Sequence, residues 1–230
     1  MQFGFTQIRP LINRSALVAI SPHLDDVALG CADLVAAYPR ALVITVIAGR
    51  PGPHELTEWD ARCGFRQGDD VMGARRLEDD AAIRHLGGRP LWLDFLDRQY
   101  APEWSSPDPG QIAEAVRPLL DDAGVVASPL GLGHPDHVAV AAACYELARS
   151  LPALEWIVYE DAIYRATAGA TEAATAKLRA SGLHLEPLDL APAERKRDAI
   201  DCYASQLRGL GDLVLDAYAP ERYWSLVRTG

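Results

Sequence analysis

Five side chains suited to metal and proton chemistry fall in two short stretches of this sequence. His23, Asp25 and Asp26 lie in Ser21-Pro22-His23-Leu24-Asp25-Asp26, and His134 and His137 lie in Gly133-His134-Pro135-Asp136-His137. A catalytic zinc takes three protein ligands from His and Asp/Glu and keeps one position open for water. His23 and Asp26, three residues apart at a turn, can face one point, and His137 can complete the set. Asp25 cannot easily share the direction of Asp26, so it is better placed beside the metal, where it can accept a proton from a water. His134, three residues before His137, can lie on the opposite side. There, as an imidazolium, it would steady an oxyanion or protonate a leaving amine. Zn²⁺ suits this set, and Fe²⁺ or Co²⁺ would fit as well.

Each stretch alone has a plainer reading. Asp25 or Asp26 can cap the helix that follows, and Asp136 can do the same in a turn with solvated histidines. What favours chemistry is their shared setting. The first stretch follows an apolar, β-branched run at residues 16–20 and precedes a helical pattern at 27–38. The second follows a strand-like run at 125–130 and precedes an alanine-rich helix at 138–150. Both therefore sit where a strand hands over to a helix, the edge of an open α/β sheet at which ligands bind.

The remaining elements fit that frame. Further strands are expected at 41–49, 91–96, 155–161 and 183–188, with an edge strand within 218–227. Helices are expected at 69–86, closed by Gly87-Gly88, and at 111–122, 171–181 and 192–207. Residues 50–68 and 97–110, rich in Pro and Gly, read as long loops at the carboxyl ends of strands. Alternation of strand and helix implies an α/β fold, a mainly parallel sheet covered on both faces. With no repeat or linker in view, residues 1–230 are expected to form a single domain.

The bulk properties exclude several partners. A formal charge of −10 leaves no basic stripe for phosphates and argues against nucleic acid. Four scattered cysteines, Cys31, Cys63, Cys144 and Cys202, form neither a disulfide framework nor a thiolate metal site. No apolar run is long enough to cross a membrane, and residues 1–7 lack the pattern of a secretion signal. A cytoplasmic protein is the expectation.

At these residues the sequence resembles the LmbE-like (PIG-L) family of zinc-dependent N-deacetylases, which carries Pro-His-x-Asp-Asp and His-x-Asp-His segments. Here they stand as Pro22-His23-Leu24-Asp25-Asp26 and His134-Pro135-Asp136-His137. Weaker similarities run through Arg75-Arg76-Leu77-Glu78-Asp79, Leu91-Trp92-Leu93-Asp94, Tyr159-Glu160-Asp161 and Tyr203-Ala204-Ser205-Gln206. The resemblance implies a Rossmann-like three-layer sandwich with Zn²⁺ on His23, Asp26 and His137, Asp25 as general base and His134 steadying the tetrahedral intermediate. It also implies hydrolysis of an acetamide on an amino sugar or its glycoside. Two positions depart from the family pattern. Leu24 replaces a common proline, and Val27 replaces a glutamate that often follows the two aspartates, removing a carboxylate near the metal.

Candidate substrate contacts are His54, Asp94, Arg98, Tyr100 and Arg165, with Trp59 and Tyr164 beside them. Asp94 is the foremost, because a carboxylate ending a buried strand needs a reason to be there. Three readings follow: an N-acetylamino-sugar deacetylase, an amidase cleaving another acyl chain or a thiol conjugate on the same scaffold, and a non-catalytic metal-binding descendant. Retention of Asp25 and His134 beside all three candidate ligands speaks against the last.

Overall fold

The computed structural model describes residues 16–228. The stretch read above for a secretion signal lies outside the described residues. Seven strands form one sheet in the order β3-β2-β1-β4-β5-β7-β6. The first five are β1 (Ala16–Ser21), β2 (Leu42–Thr45), β3 (Arg89–Trp92), β4 (Ala123–Pro129) and β5 (Glu155–Tyr159), and they run parallel. The last two, β6 (Leu183–Leu188) and β7 (Tyr223–Arg228), close the sheet through antiparallel pairs. The sheet is mostly parallel, as expected, with one correction. The final strand is not an edge: β7 inserts between β5 and β6, and β6 takes the edge.

Alternation along the strands produces two cores. Val18, Ile20, Ile44, Val126, Trp156 and Val158 point to one face. Leu17, Ala19, Val43, Val125, Ala127, Ile157 and Tyr159 point to the other. A strand buried on both faces reads as a continuous apolar run, which is why β1 and β4 are so plain in the sequence. The first face is covered by α5 (Pro109–Val116), α6 (Pro135–Ser150) and α7 (Ala170–Ala180). The second is covered by α1 (Asp26–Gly30), α2 (Ala32–Ala37), α4 (Val71–His85) and α8 (Lys196–Asp201). Two short helices, α3 (Glu58–Arg62) and α9 (Ala204–Leu210), pack on each other beyond the carboxyl end of the sheet.

Several expected elements are broken or shifted. The helix after β1 divides at Cys31, whose φ of −142° is not helical. At the neighbouring Gly30 the chain passes so close to the Glu160 carbonyl that a Cβ would meet it at 3.0 Å. The helix at 192–207 divides at Tyr203, whose hydroxyl donates to buried Asp79. The third strand begins at Arg89 rather than Leu91 and is only partly buried, because it is a sheet edge and lacks an interior strand's all-apolar signature. The loop at 50–68 contains α3, started by Thr57 accepting the Asp60 amide.

Candidate metal and catalytic site

The turn from β1 into α1 is held by Ser21, whose hydroxyl donates to the His23 carbonyl and accepts the Val27 amide. Asp26 Oδ2 accepts the His23 amide at 2.8 Å. Asp25 sits at φ 149°, a conformation costly for a residue with a side chain, and makes no capping bond to the helix it precedes. Its buried carboxylate is thereby left facing a cavity of about 250 Å³. The junction from β4 into α6 is ordinary by contrast: His134 is the N-cap, and its Nδ1 accepts the Asp136 amide.

The two junctions meet across the β1–β4 pair. His23 Nδ1 lies 3.2 Å from His137 Nε2, Asp26 Oδ2 lies 3.4 Å from the former, and the same oxygen lies 3.3 Å from the latter. These spacings match the roughly 3.3 Å edge of a tetrahedron built on metal–ligand bonds of about 2.0–2.1 Å. The other nitrogen of each imidazole rests on a carboxylate: His23 Nε2 at 3.1 Å from Asp136 Oδ2, and His137 Nδ1 at 2.7 Å from Asp161 Oδ1. Carboxylates behind the rings fix which nitrogen faces the cavity, the arrangement usual around metal-bound histidine. Asp161 also accepts the amides of Gly131 and Leu132, so one side chain holds both the ring and the loop carrying it. A ring nitrogen of His134 is also within 4.8 Å of those of His23 and His137.

The electrostatics point the same way. Burial disfavours a charged His23, yet Asp136, Asp26 and Asp97 outweigh it and raise the pKa well above the usual imidazole value. His137 is raised against its burial by Asp26 and Asp161. Asp26 is lowered despite burial, by His137 and His23. The pocket thus draws positive charge, and its two imidazoles and one carboxylate form a donor set that fits a divalent cation. Asp25 is raised by burial and by Asp26, while the Arg75 guanidinium pulls it back. His134 behaves differently from the imidazolium expected above. Burial and the neighbouring His23 and His137 depress its pKa to about 4, so at neutral pH the ring is uncharged. With Nδ1 accepting a backbone amide, the proton resides on Nε2.

The candidate substrate contacts separate into two groups. Arg98, Trp59 and Tyr164 line the cavity. Arg165 does not: its side chain is buried in an ion pair with Asp216. Asp94, 89% exposed, pairs with Arg76 at the sheet edge. Tyr100 donates to Asp60 and packs on Leu24, Ala48 and Met72. His54 stacks edge-on against Tyr100 and borders a separate depression between loops. Residues not singled out as site candidates also line the cavity, among them Arg75 and Gln206, both buried. Arg75 Nε and Gln206 Oε1 have no hydrogen-bond partner there.

Known proteins are similar to this chain in both sequence and fold. The family described as GlcNAc-PI de-N-acetylase, PIG-L, matches residues 18–148. A 2′-N-acetylparomamine deacetylase of Streptomyces fradiae is 33% identical over 147 residues, 58% of this chain and 52% of that protein. The chain thus matches about half the length of this curated relative. Among solved structures, the zinc-inhibited form of a teicoplanin deacetylase superposes with a TM-score of 0.79 at 26% identity, covering 93% of this chain and 98% of that one. A deacetylase–teicoplanin complex from the teicoplanin pathway gives 0.76 at 27% identity with the same coverage. As the family match takes in more than half of the sequence and both junctions, the chain belongs to the PIG-L family.

Proposed function

We propose that the chain is a metal-dependent N-deacetylase that hydrolyses the acetamide of an amino sugar carried on a larger molecule. The observation that carries this reading is the triangle of His23 Nδ1, Asp26 Oδ2 and His137 Nε2, with 3.2–3.4 Å sides and an uncapped carboxylate beside it. These three residues would hold the cation, with zinc favoured by the donor set. When bound, such a metal polarises the acetamide carbonyl and makes water nucleophilic at neutral pH.

The chain's own groups do the rest. Asp25 receives the proton of the attacking water, its carboxylate kept off the α1 N-terminus by the strained turn. Arg75, buried beside it, favours its ionised form. His134 donates from Nε2 to the oxygen that becomes negative as the carbonyl turns tetrahedral, a neutral hydrogen bond from a pre-set position. Asp25, once protonated, is the acid available to the departing amine. Asp136 and Asp161 hold the two imidazoles in register.

The paromamine and teicoplanin deacetylases among the relatives support an N-acetylated sugar on a natural product as the substrate class. Metal analysis of the purified protein, joined to amine release from a panel of N-acetylated glycosides, tests the reading. The expected result is one divalent metal per chain and release of acetate with free amine. Stoichiometric metal with no acetamide cleaved across the panel would send the reading to another amide.

A further inference from the structure

The helices α6 and α7 cover the same face of the sheet and leave a groove of about 450 Å³ between them. This groove is separate from the catalytic cavity and shares no lining residue with it. Val138, Ala142 and Tyr145 face it from α6, and Ala170, Ala173 and Ala174 face it from α7. Positions three and four apart share one side of a helix, so each helix presents a single continuous stripe. Leu130, Leu132 and Leu178 of the core complete the apolar lining. The volume falls within the roughly 300–1,000 Å³ of small-molecule pockets and exceeds that of the catalytic cavity.

Each stripe runs out into a cation, Arg149 on α6 and Lys177 on α7. The Arg149 guanidinium already reaches the Tyr145 carbonyl and both the carbonyl and hydroxyl of Ser181. The Lys177 ammonium has no hydrogen bond or ion pair among the described residues. The chain carries 32 acidic residues, yet among the described residues no Asp or Glu lines this groove. Cations in the last turn of a helix offset its macrodipole. That role requires neither a shared apolar groove nor a lining without carboxylates.

The dimensions narrow the choice of occupant. At roughly 1.5 Å per residue, Val138 to Arg149 spans about 16 Å of helix. Spread over that length, the groove has a cross-section of about 28 Å². A peptide helix about 10–12 Å across would need about three to four times as much, whereas a single chain of methylenes fits. One free ammonium at the end matches a head group of one negative charge. We propose that the groove binds a medium-chain fatty-acid anion, with its carboxylate at Lys177 and Arg149 and its tail directed toward Leu132 and Gly133. Those two residues lead directly into His134, and the Leu132 amide is held by Asp161. A bound tail therefore braces the loop that carries His134 from outside the catalytic cavity.

Calorimetry on the full-length protein tests this, with sodium decanoate, sodium butyrate and decyltrimethylammonium as probes below their micelle concentrations. Decanoate should bind at one site per chain, at least tenfold more tightly than butyrate, since each methylene removed from water adds to binding. The cationic probe, with the same tail, should bind at least tenfold more weakly than decanoate. Lys177→Glu addresses the head and Ala142→Trp the tail, and both positions are exposed, so the fold should tolerate the changes. Each variant should weaken decanoate at least fivefold. The fitted stoichiometry reports the folded fraction, which separates a weaker Kd from misfolding. Decanoate seated on the catalytic metal would bind both variants as it binds wild type, so an affinity that either variant leaves unchanged overturns the proposal. So does equal affinity for butyrate or the cationic probe, or no decanoate binding tighter than about 1 mM.

Discussion

The two junctions that build the site are solved in opposite ways. At β1–α1 the chain accepts an unfavourable backbone at Asp25 and leaves its carboxylate without a capping bond. At β4–α6 the backbone is relaxed and the functional side chain, His134, is itself the cap. An N-cap normally satisfies a helix amide and stabilises by about 1 kcal/mol. Asp25 forgoes that stabilisation and keeps both oxygens for chemistry. His134 gains it, and the bond that caps the helix also dictates which nitrogen carries the proton. One junction gives up stability for a free base, while the other obtains an oriented donor from the same bond that supports the fold.

The largest effect that could break this comparison comes from Asp25. Asp25→Asn should lower kcat by on the order of 10³-fold while leaving bound metal unchanged, as removal of a general base does. His137→Ala, by contrast, should abolish activity together with the metal. Plasma emission analysis beside amine release distinguishes the two. Near-normal turnover of Asp25→Asn with metal in place would remove Asp25 from the chemistry.

His134 should give a smaller and divided effect. His134→Ala is expected to cost about 10²-fold in kcat as a lost oxyanion donor, and about 1 kcal/mol of stability as a lost cap. His134→Asn should restore the stability, since Asn is a strong N-cap, without restoring kcat, because its shorter side chain falls short of the substrate. Denaturation and kinetics on the same pair of proteins check the split. Recovery of both together would mean that the cap alone mattered. A smaller change is expected behind the metal: Asp161→Asn should weaken metal affinity by about 10–100-fold, read by competition with a chelator, as loss of a ring-orienting carboxylate does.

The same contrast explains what can be read from the sequence. Both junctions are visible because β1 and β4 are interior strands, each a mainly apolar run, and each is followed within a few residues by its chemistry-bearing side chains. A carboxylate ending a strand needs a purpose, and Asp161 meets that condition better than Asp94 does. The difference is the sheet: β3 is an edge whose end meets solvent, whereas β5 is interior and its end meets the site. Strand order cannot be read from local pattern, so in the sequence the two aspartates look alike. Arg75 and Gln206 fall within two of the weaker similarity segments, but their place at the site is hidden for a related reason. Each sits on a helix remote in sequence from both junctions, and only the packing of α4 and α9 over the sheet's carboxyl end brings them to the cavity.

The smallest expected effect on activity lies one turn along α4 from Arg75, at Asp79, and it sharpens the comparison among buried carboxylates. Asp26 has imidazoles in direct contact to lower its pKa, whereas Asp79 relies first on two neutral donors, Trp92 Nε1 at 2.7 Å and the Tyr203 hydroxyl at 2.9 Å, with the pull of Arg75 set against the push of Asp80. Burial prevails there and raises its pKa to about 6. A carboxyl raised on folding favours the native state below its unfolded value and loses that advantage as pH climbs through the folded one. Between pH of about 4 and 6, wild type should therefore lose about 2 kcal/mol relative to Asp79→Asn, since a tenfold change in proton affinity corresponds to about 1.4 kcal/mol and each state is half titrated at one end of that range. The amide can keep both partners, accepting from Trp92 and donating to a Tyr203 hydroxyl turned to accept. Urea denaturation of the two proteins across that range measures the difference. Parallel pH profiles would show that the Trp92 and Tyr203 hydrogen bonds already stabilise the anion enough to offset its burial.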